Sequence, residues 1–143
     1  MATVRDVAAY ILSKLSPITA MKLQKLVYYA QAWSLVWDEK PLFRNRIEAW
    51  ANGPVVPALY ALHKGQFKFG RGTIDGAPQM LSDSERETID VVLKHYGRKS
   101  SQWLSDLTHK ERPWVEARQG LRPGARGHSE ITQASMAEYY EAL

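Results

Sequence analysis

One segment near the N-terminus constrains the fold more than any other part of the sequence. Residues 26–37 are apolar except for Gln31 and Ser34. This stretch of 12 residues is too short to cross a bilayer, which takes about 20, so it is expected in the core of a globular domain. Thr19 can cap a helix over residues 20–37, and apolar side chains cover more than one face of that helix. Because such a helix is packed on several sides, it is predicted to form the centre of the fold.

The rest of the chain has the pattern of shorter helices joined by turns. Apolar residues recur every three or four positions after capping residues such as Thr3, Ser82 and Ser100. Residues 47–50 alternate apolar and polar, which predicts a short strand. We therefore expect a mainly α-helical fold: a single compact domain over residues 1–143, with about six helices around the buried central helix and a short β-strand or hairpin.

The tight turn predicted at Asn52 and Gly53 is the clearest local backbone signal. These residue types adopt positive φ angles most easily, so Gly53 is expected to have one. Either Pro54 or Pro57 can then occupy the first turn of a third helix that ends near Lys64. The turn is therefore predicted to set the entry to that helix.

Tryptophan is abundant, with five copies in 143 residues. Trp33 and Trp37 share one face of the central helix and are predicted to lie in the core. Trp50, Trp103 and Trp114 lie near turns or helix starts. We expect them to pack beneath loops; the alternative is that they are exposed anchors for a partner.

The composition is that of a globular protein, with 45% hydrophobic and 24% charged residues. The absence of cysteine excludes disulfide bonds, thiol catalysis and thiolate metal sites. The N-terminal residues lack the pattern of a signal peptide, and the longest apolar stretch is too short to span a membrane. A cytoplasmic location is expected.

No catalytic or cofactor motif stands out. The four histidines are not paired at metal-ligand spacing, and the glycines match neither a dinucleotide fingerprint nor a P-loop. Ser105 and His109 are four residues apart, so they could touch on one helix and suggest a hydrolase. We favour instead a structural His109 that ties its helix end to the corner at Pro113 and Trp114. No enzyme activity, cofactor or metal is expected.

Basic residues in two glycine-containing segments are the candidates for partner contacts. Residues 65–81 are predicted to be a mobile connection, functional loop or hairpin, and residues 118–128 a second loop. The net charge of +4 and pI of about 9.4 keep a nucleic-acid-binding regulator of phage or mobile-element origin open as the alternative function. The candidate contact residues are Lys68, Arg71, Arg118, Arg122 and Arg126.

Three motifs together resemble a known family. They are Met21-Lys22-Leu23-Gln24-Lys25-Leu26-Val27-Tyr28-Tyr29-Ala30-Gln31-Ala32-Trp33, then Ile47-Glu48-Ala49-Trp50-Ala51-Asn52-Gly53-Pro54-Val55-Val56-Pro57 with Leu59-Tyr60, and Leu107-Thr108-His109 with Pro113-Trp114. In this order and spacing they are similar to the Panacea domain, also called the SocA-like antitoxin or GepA-type phage-associated domain. The similarity extends over nearly the whole chain.

The resemblance implies an antitoxin of a bacterial or prophage toxin–antitoxin system, which neutralises a toxin encoded nearby through direct protein contact. It implies no enzyme activity. One family member also delivers its toxin to the ClpXP protease, and whether that role carries over to this chain stays open. The family motifs are interpreted as structural, and the residues that match them are Leu23, Lys25, Leu26, Tyr29, Trp33, Trp50, Gly53, Pro54, Val55, Tyr60, Thr108, His109 and Trp114.

Overall fold

The computed structural model describes residues 1–143, except for the side chain of Phe69. The fold is mainly helical, as predicted, with a small antiparallel sheet in addition. The described helices are α1 Val4–Lys14, α2 Ala20–Trp37, α3 Pro57–His63, α4 Asp83–Tyr96, α5 Ser101–Thr108, α6 Arg112–Ala117 and α7 Gln133–Glu141. The described strands are β1 Ile18–Thr19, β2 Ile47–Trp50, β3 Gly53–Val55, β4 Lys68–Phe69 and β5 Glu130–Ile131.

Helix α2 is the centre of the fold, which confirms the main sequence prediction. It packs against α1, α4, α5, α7 and β3, and its residues Leu23, Leu26 and Val27 are completely buried. Thr19 caps its start by accepting a hydrogen bond from the Lys22 backbone N–H at 3.1 Å. The burial of nearly every face explains why the helix has so little amphipathic character in the sequence.

The placement of Trp37 in the core was wrong. Trp33 is half-buried and stacks on Trp37 with the ring centroids 5.0 Å apart, but Trp37 is 46% exposed. Trp37 is the last residue of α2 and lines an open surface pocket with Val92 and His95 of α4, so one side of its ring faces solvent. Residues that share a helical face therefore do not share the same burial when one of them lies at the helix end.

The predicted strand 47–50 is β2, and it forms the middle of a three-stranded sheet between β3 and β5. Trp50 pairs with Gly53, so Ala51 and Asn52 make a two-residue hairpin turn. The positive φ of Gly53 is confirmed at +125°. The third helix begins at Pro57, one of its two predicted starts, and ends at His63 as expected. The turn does not lead directly into that helix, however, because β3 lies between them.

The segment 65–81 is more ordered than the predicted mobile connection. Lys68 pairs with Thr19 through the β1–β4 ladder, and a short 3-10 helix spans Pro78–Met80. Ile74 and Leu81 are buried in the core. The backbone N–H of Ala77 also donates to the Asp6 carboxylate at 2.8 Å, so this segment is anchored at several points along its length.

Candidate functional site

The three family motifs, which are far apart in sequence, meet at one corner of the structure. Lys25 comes from α2, Gly53 from the β2–β3 hairpin and Thr108 from the end of α5. A β-carbon placed on Gly53 would lie 2.3 Å from Cε of Lys25 and 3.1 Å from Oγ1 of Thr108. The motif glycine is therefore required by close packing as well as by its φ angle. We call Lys25, Gly53, Thr108 and His109 the motif cluster.

Lys25 is the most unusual member of the motif cluster. Its side chain is fully buried, and its Nζ has no hydrogen-bond partner among the described residues. Burial lowers the pKa of Lys25 from its ordinary value of 10.5 to about 7, since a low-dielectric environment disfavours the charged form. A neutral amine is therefore readily populated near neutral pH.

The turn of the hairpin is tied to α5 and α6 by side chains. The Ser105 hydroxyl donates to the carbonyl oxygen of Asn52 at 2.6 Å. The Trp114 indole N–H donates to the backbone carbonyl oxygen of Trp50 at 2.8 Å. Trp114 thus packs beneath a loop as predicted. The same contacts direct Ser105 to a backbone carbonyl, so the Ser105–His109 pairing that suggested a hydrolase is not formed in this structure.

His109 lies between the same elements. Its ring stacks on Trp114 with centroids 4.0 Å apart and an interplanar angle of 18°, and it forms a hydrogen bond with the backbone of Ala51. Burial, followed by the nearby charge of Lys25, lowers the pKa of His109 below its ordinary value. The predicted role of His109 in tying its helix end to the Trp114 corner agrees with these contacts.

Replacing His109 by Ala should destabilise the protein by roughly 1–2 kcal/mol, the sum of a stacking contact and one hydrogen bond. Thermal unfolding measures this loss, and His95→Ala is the matched control because His95 is exposed on α4. Partner binding by the His109→Ala protein should be unchanged at temperatures where it is folded. A folded His109→Ala protein that does not bind would instead assign His109 a direct functional role.

A second buried polar network lies around Glu111, which sequence reasoning missed. Its Oε1 accepts hydrogen bonds from the hydroxyls of Tyr29 at 2.6 Å and Tyr140 at 2.8 Å, and Tyr140 is also within 3.0 Å of the Tyr28 hydroxyl. Burial raises the pKa of Glu111, while the two tyrosine hydroxyls oppose that shift. The network joins α2 to α7 and to the start of α6.

Two glutamines of α2 hold the segments that cross it. The side chain of Gln24 accepts from the Val56 N–H and donates to Nε2 of His63, both at 2.9 Å. Gln31 accepts from the Leu42 N–H at 2.7 Å in the same manner. A sequence signal existed for both, because a polar residue inside an otherwise apolar helix must find a buried partner.

The predicted partner-contact residues do not all have the expected exposure. Lys68, Arg71, Arg122 and Arg126 are exposed. Arg118 is not: it is 5% exposed and donates to the carbonyl oxygens of Ala49, Arg122 and Ala125. The assignment of Arg118 to a partner surface was wrong, because its guanidinium is occupied in holding residues 122–125 against β2.

Arg126 and Lys64 line one surface cleft of about 600 Å³. Lys64 follows α3, and Arg126 lies in the loop before β5. Lys68 and Arg71 do not line this cleft, and Arg71 instead donates to the Ser13 carbonyl at 3.0 Å. The structure therefore divides the predicted basic residues between two different surfaces.

Comparison with known proteins gives two matches. Residues 23–115 match the family described as Antitoxin SocA-like, Panacea domain. Antitoxin SocA of Caulobacter vibrioides (strain NA1000 / CB15N) is 42% identical over an alignment of 126 residues, and the match covers 77% of this chain and 67% of that protein.

No solved structure matches this chain. Across the residues that the structure describes, no helix combines the length and the hydropathy needed to span a membrane. The family match covers the first motif from Leu23 onward and the whole of the second and third motifs. The chain therefore belongs to the SocA-like antitoxin family that carries the Panacea domain.

Proposed function

We propose that this chain is an antitoxin that neutralises one cognate toxin in the cytoplasm by direct, stoichiometric protein binding. The observation that carries the proposal is the 42% identity to Antitoxin SocA across 77% of the chain. The toxin is expected to be encoded beside this chain. Because inhibition occurs by occupancy, it requires neither turnover nor a cofactor.

The scaffold suits this function because its exposed basic residues lie outside the motif cluster. Lys68 and Arg71 extend from the segment after α3, and Arg122 and Arg126 from the loop before β5. Exposed positions outside the core can change without disturbing the fold. Arginine at such positions can form paired hydrogen bonds with carboxylates of a partner.

The test is co-expression with the protein encoded by the adjacent gene. Growth should be arrested by the adjacent gene alone and restored when this chain is present. The purified pair should elute as one species of defined stoichiometry, with the free toxin recovering its activity after dissociation. Rescue of growth without a detectable complex would contradict direct binding.

Charge reversal at the exposed basic residues should weaken the complex. Lys68→Glu with Arg71→Glu, and separately Arg122→Glu with Arg126→Glu, should each reduce affinity if the altered surface contacts the toxin. We expect about a tenfold loss for the contacting pair, chiefly through slower association. Surface plasmon resonance at two salt concentrations measures it. The matched control is Lys94→Glu with Arg98→Glu, of which Lys94 lies on α4 and Arg98 follows it. Parental affinity of both test variants would exclude these two surfaces as toxin contacts.

A protease-adaptor role is a separate proposal that rests only on the family resemblance. It predicts that the toxin is degraded faster when this chain and a ClpXP-type protease are both present. The toxin half-life after translation is stopped measures this effect. An unchanged half-life would leave neutralisation by binding as the whole function.

A further inference from the structure

The cleft that holds Lys64 and Arg126 has an aromatic wall. The rings of Trp50 and Tyr60 meet edge to face with their centroids 4.9 Å apart. The ring of His128 lies 5.9 Å from that of Trp50. Because Trp50 and Tyr60 are only half-buried, their free faces are available to a partner inside a cleft of about 600 Å³. Cavities of this size commonly enclose a small ligand or a few side chains.

The aromatic wall is fixed before any partner binds. The Trp50 indole N–H donates to Glu48 at 2.9 Å, and its backbone carbonyl accepts from Trp114. Glu48 is itself paired with Arg46 at 3.0 Å. A rigid aromatic side chain loses little conformational freedom on binding, which favours its use as an anchor.

The opposite wall is also held in place. The buried guanidinium of Arg118 binds the carbonyl oxygens of Arg122 and Ala125. Gly127 passes so close that a β-carbon there would lie 2.9 Å from that guanidinium. Arg118 therefore positions the loop segment from which Arg126 reaches the cleft.

The charged side chains that line the cleft have one sign, and the adjacent Glu48 carboxylate is paired with Arg46 and lies 3.6 Å from Nδ1 of His128. Among the described residues that line it, Lys64 and Arg126 are charged and none is acidic. Neither of these two cations forms an ion pair among the described residues. Unpaired cations beside an aromatic wall provide complementary contacts for a carboxylate next to an apolar or aromatic side chain.

We propose that this cleft binds an acidic segment of the toxin, with its carboxylates at Lys64 and Arg126 and a neighbouring apolar side chain against Trp50 and Tyr60. This assignment rests on the proposed function and names the surface through which it acts. Nucleic acid is the less suitable occupant, because two cations neutralise too few phosphates to give appreciable affinity at physiological salt. The site is also concave, whereas a nucleic-acid strand follows an extended basic groove.

Site-specific crosslinking locates the occupant. The photoreactive residue p-benzoyl-L-phenylalanine is introduced at Asn52, an exposed residue that lines the cleft. The probe is the protein encoded by the adjacent gene, obtained from the co-expressed complex by dissociation and refolding. Irradiation followed by mass spectrometry should identify one crosslinked toxin peptide rich in Asp and Glu. The same residue at Val91, exposed on α4, should give no such crosslink.

Charge reversal then tests the contact itself. Lys64→Glu with Arg126→Glu should weaken the complex at least tenfold, whereas Lys94→Glu with Arg98→Glu should not. Reversing the acidic residues of the crosslinked toxin peptide to Lys should restore affinity for the Lys64→Glu, Arg126→Glu chain. Thermal unfolding establishes that each variant is folded.

These experiments distinguish failure of the cleft assignment from failure of the proposed antitoxin function. Absence of any complex between the unaltered proteins would contradict the proposed function itself. The cleft assignment alone would be overturned if the complex forms but Asn52 does not crosslink to an acidic peptide. That result includes a crosslink to a basic or neutral peptide, a crosslink to nucleic acid, and no crosslink at all. Parental affinity of the folded Lys64→Glu, Arg126→Glu chain would overturn it as well.

Discussion

Replacing Lys25 by Met should stabilise the protein by roughly 2–4 kcal/mol at pH 6. At that pH the buried amine of the parent protein carries a charge, and nothing offsets the hydration that this charge has lost. Lys25 is fully buried, and its Nζ has no hydrogen-bond partner among the described residues. Met retains the length and most of the volume of the lysine side chain without its charge.

The gain from Lys25→Met should decrease as the pH rises. The pKa of Lys25 is about 7 in the folded chain, against an ordinary value of 10.5. Between these values the unfolded chain holds the proton that the folded chain has released, so the parental protein becomes more stable with increasing pH. Below about pH 7 the amine is protonated in both states, and the cost of burying the charge is complete.

Urea unfolding at pH 6 and pH 9 measures the difference directly. Lys94→Met, on the exposed face of α4, is the control and should change stability little at either pH. Equal stability of the parent and Lys25→Met at both pH values would mean that the amine is hydrated or paired in solution. Neutralisation by the Lys25→Met chain tests in addition whether the amine has any role beyond packing.

Replacing Gly53 by Ala should destabilise the protein by roughly 2–4 kcal/mol, through two effects that add. The φ angle of +125° at Gly53 is strained for any residue with a β-carbon. That β-carbon would also lie 2.3 Å from Cε of Lys25. Because the Lys25 side chain is fully enclosed, it can move aside only by displacing core residues.

The other glycines of the chain separate these two effects. Gly72 has a φ of +81° with nothing within 4 Å of an added β-carbon, so Gly72→Ala measures the cost of a positive φ in the absence of any close contact, about 1–2 kcal/mol. Gly70 has open space and no positive φ, so Gly70→Ala should be nearly neutral. If Gly53→Ala costs no more than Gly72→Ala in chemical denaturation, the close packing of Lys25 on Gly53 is incorrect.

Much of the secondary structure could be predicted from sequence because its determinants are local. The span Ala20–Trp37 of α2 follows from an apolar pattern on all faces together with the Thr19 cap. The Ser82–Glu85 capping box starts α4, and Ser100 starts α5, as their positions indicate. Each signal lies within one helical turn of the feature that it determines.

The arrangement of the site depended on contacts between distant parts of the chain. Residues 25, 53 and 108 become neighbours only when α2, the hairpin and α5 pack together, so no local pattern could show that Lys25 lacks a partner. The burial of Arg118 and the exposure of Trp37 were mispredicted for the same reason. A residue type and its periodicity indicate which side chains prefer burial, but a buried guanidinium depends on carbonyl oxygens brought close by other segments.

The sequence by itself determined the helical class, the central helix, the positive φ of Gly53 and, through its three motifs, the family. Only the tertiary structure decided which basic side chains share a surface. Lys64 and Arg126 are 62 positions apart and line one cleft because the loop held by Arg118 folds back over the hairpin. Charge in a sequence is distributed along the chain, whereas a binding surface is defined by proximity in space, and packing alone relates the two.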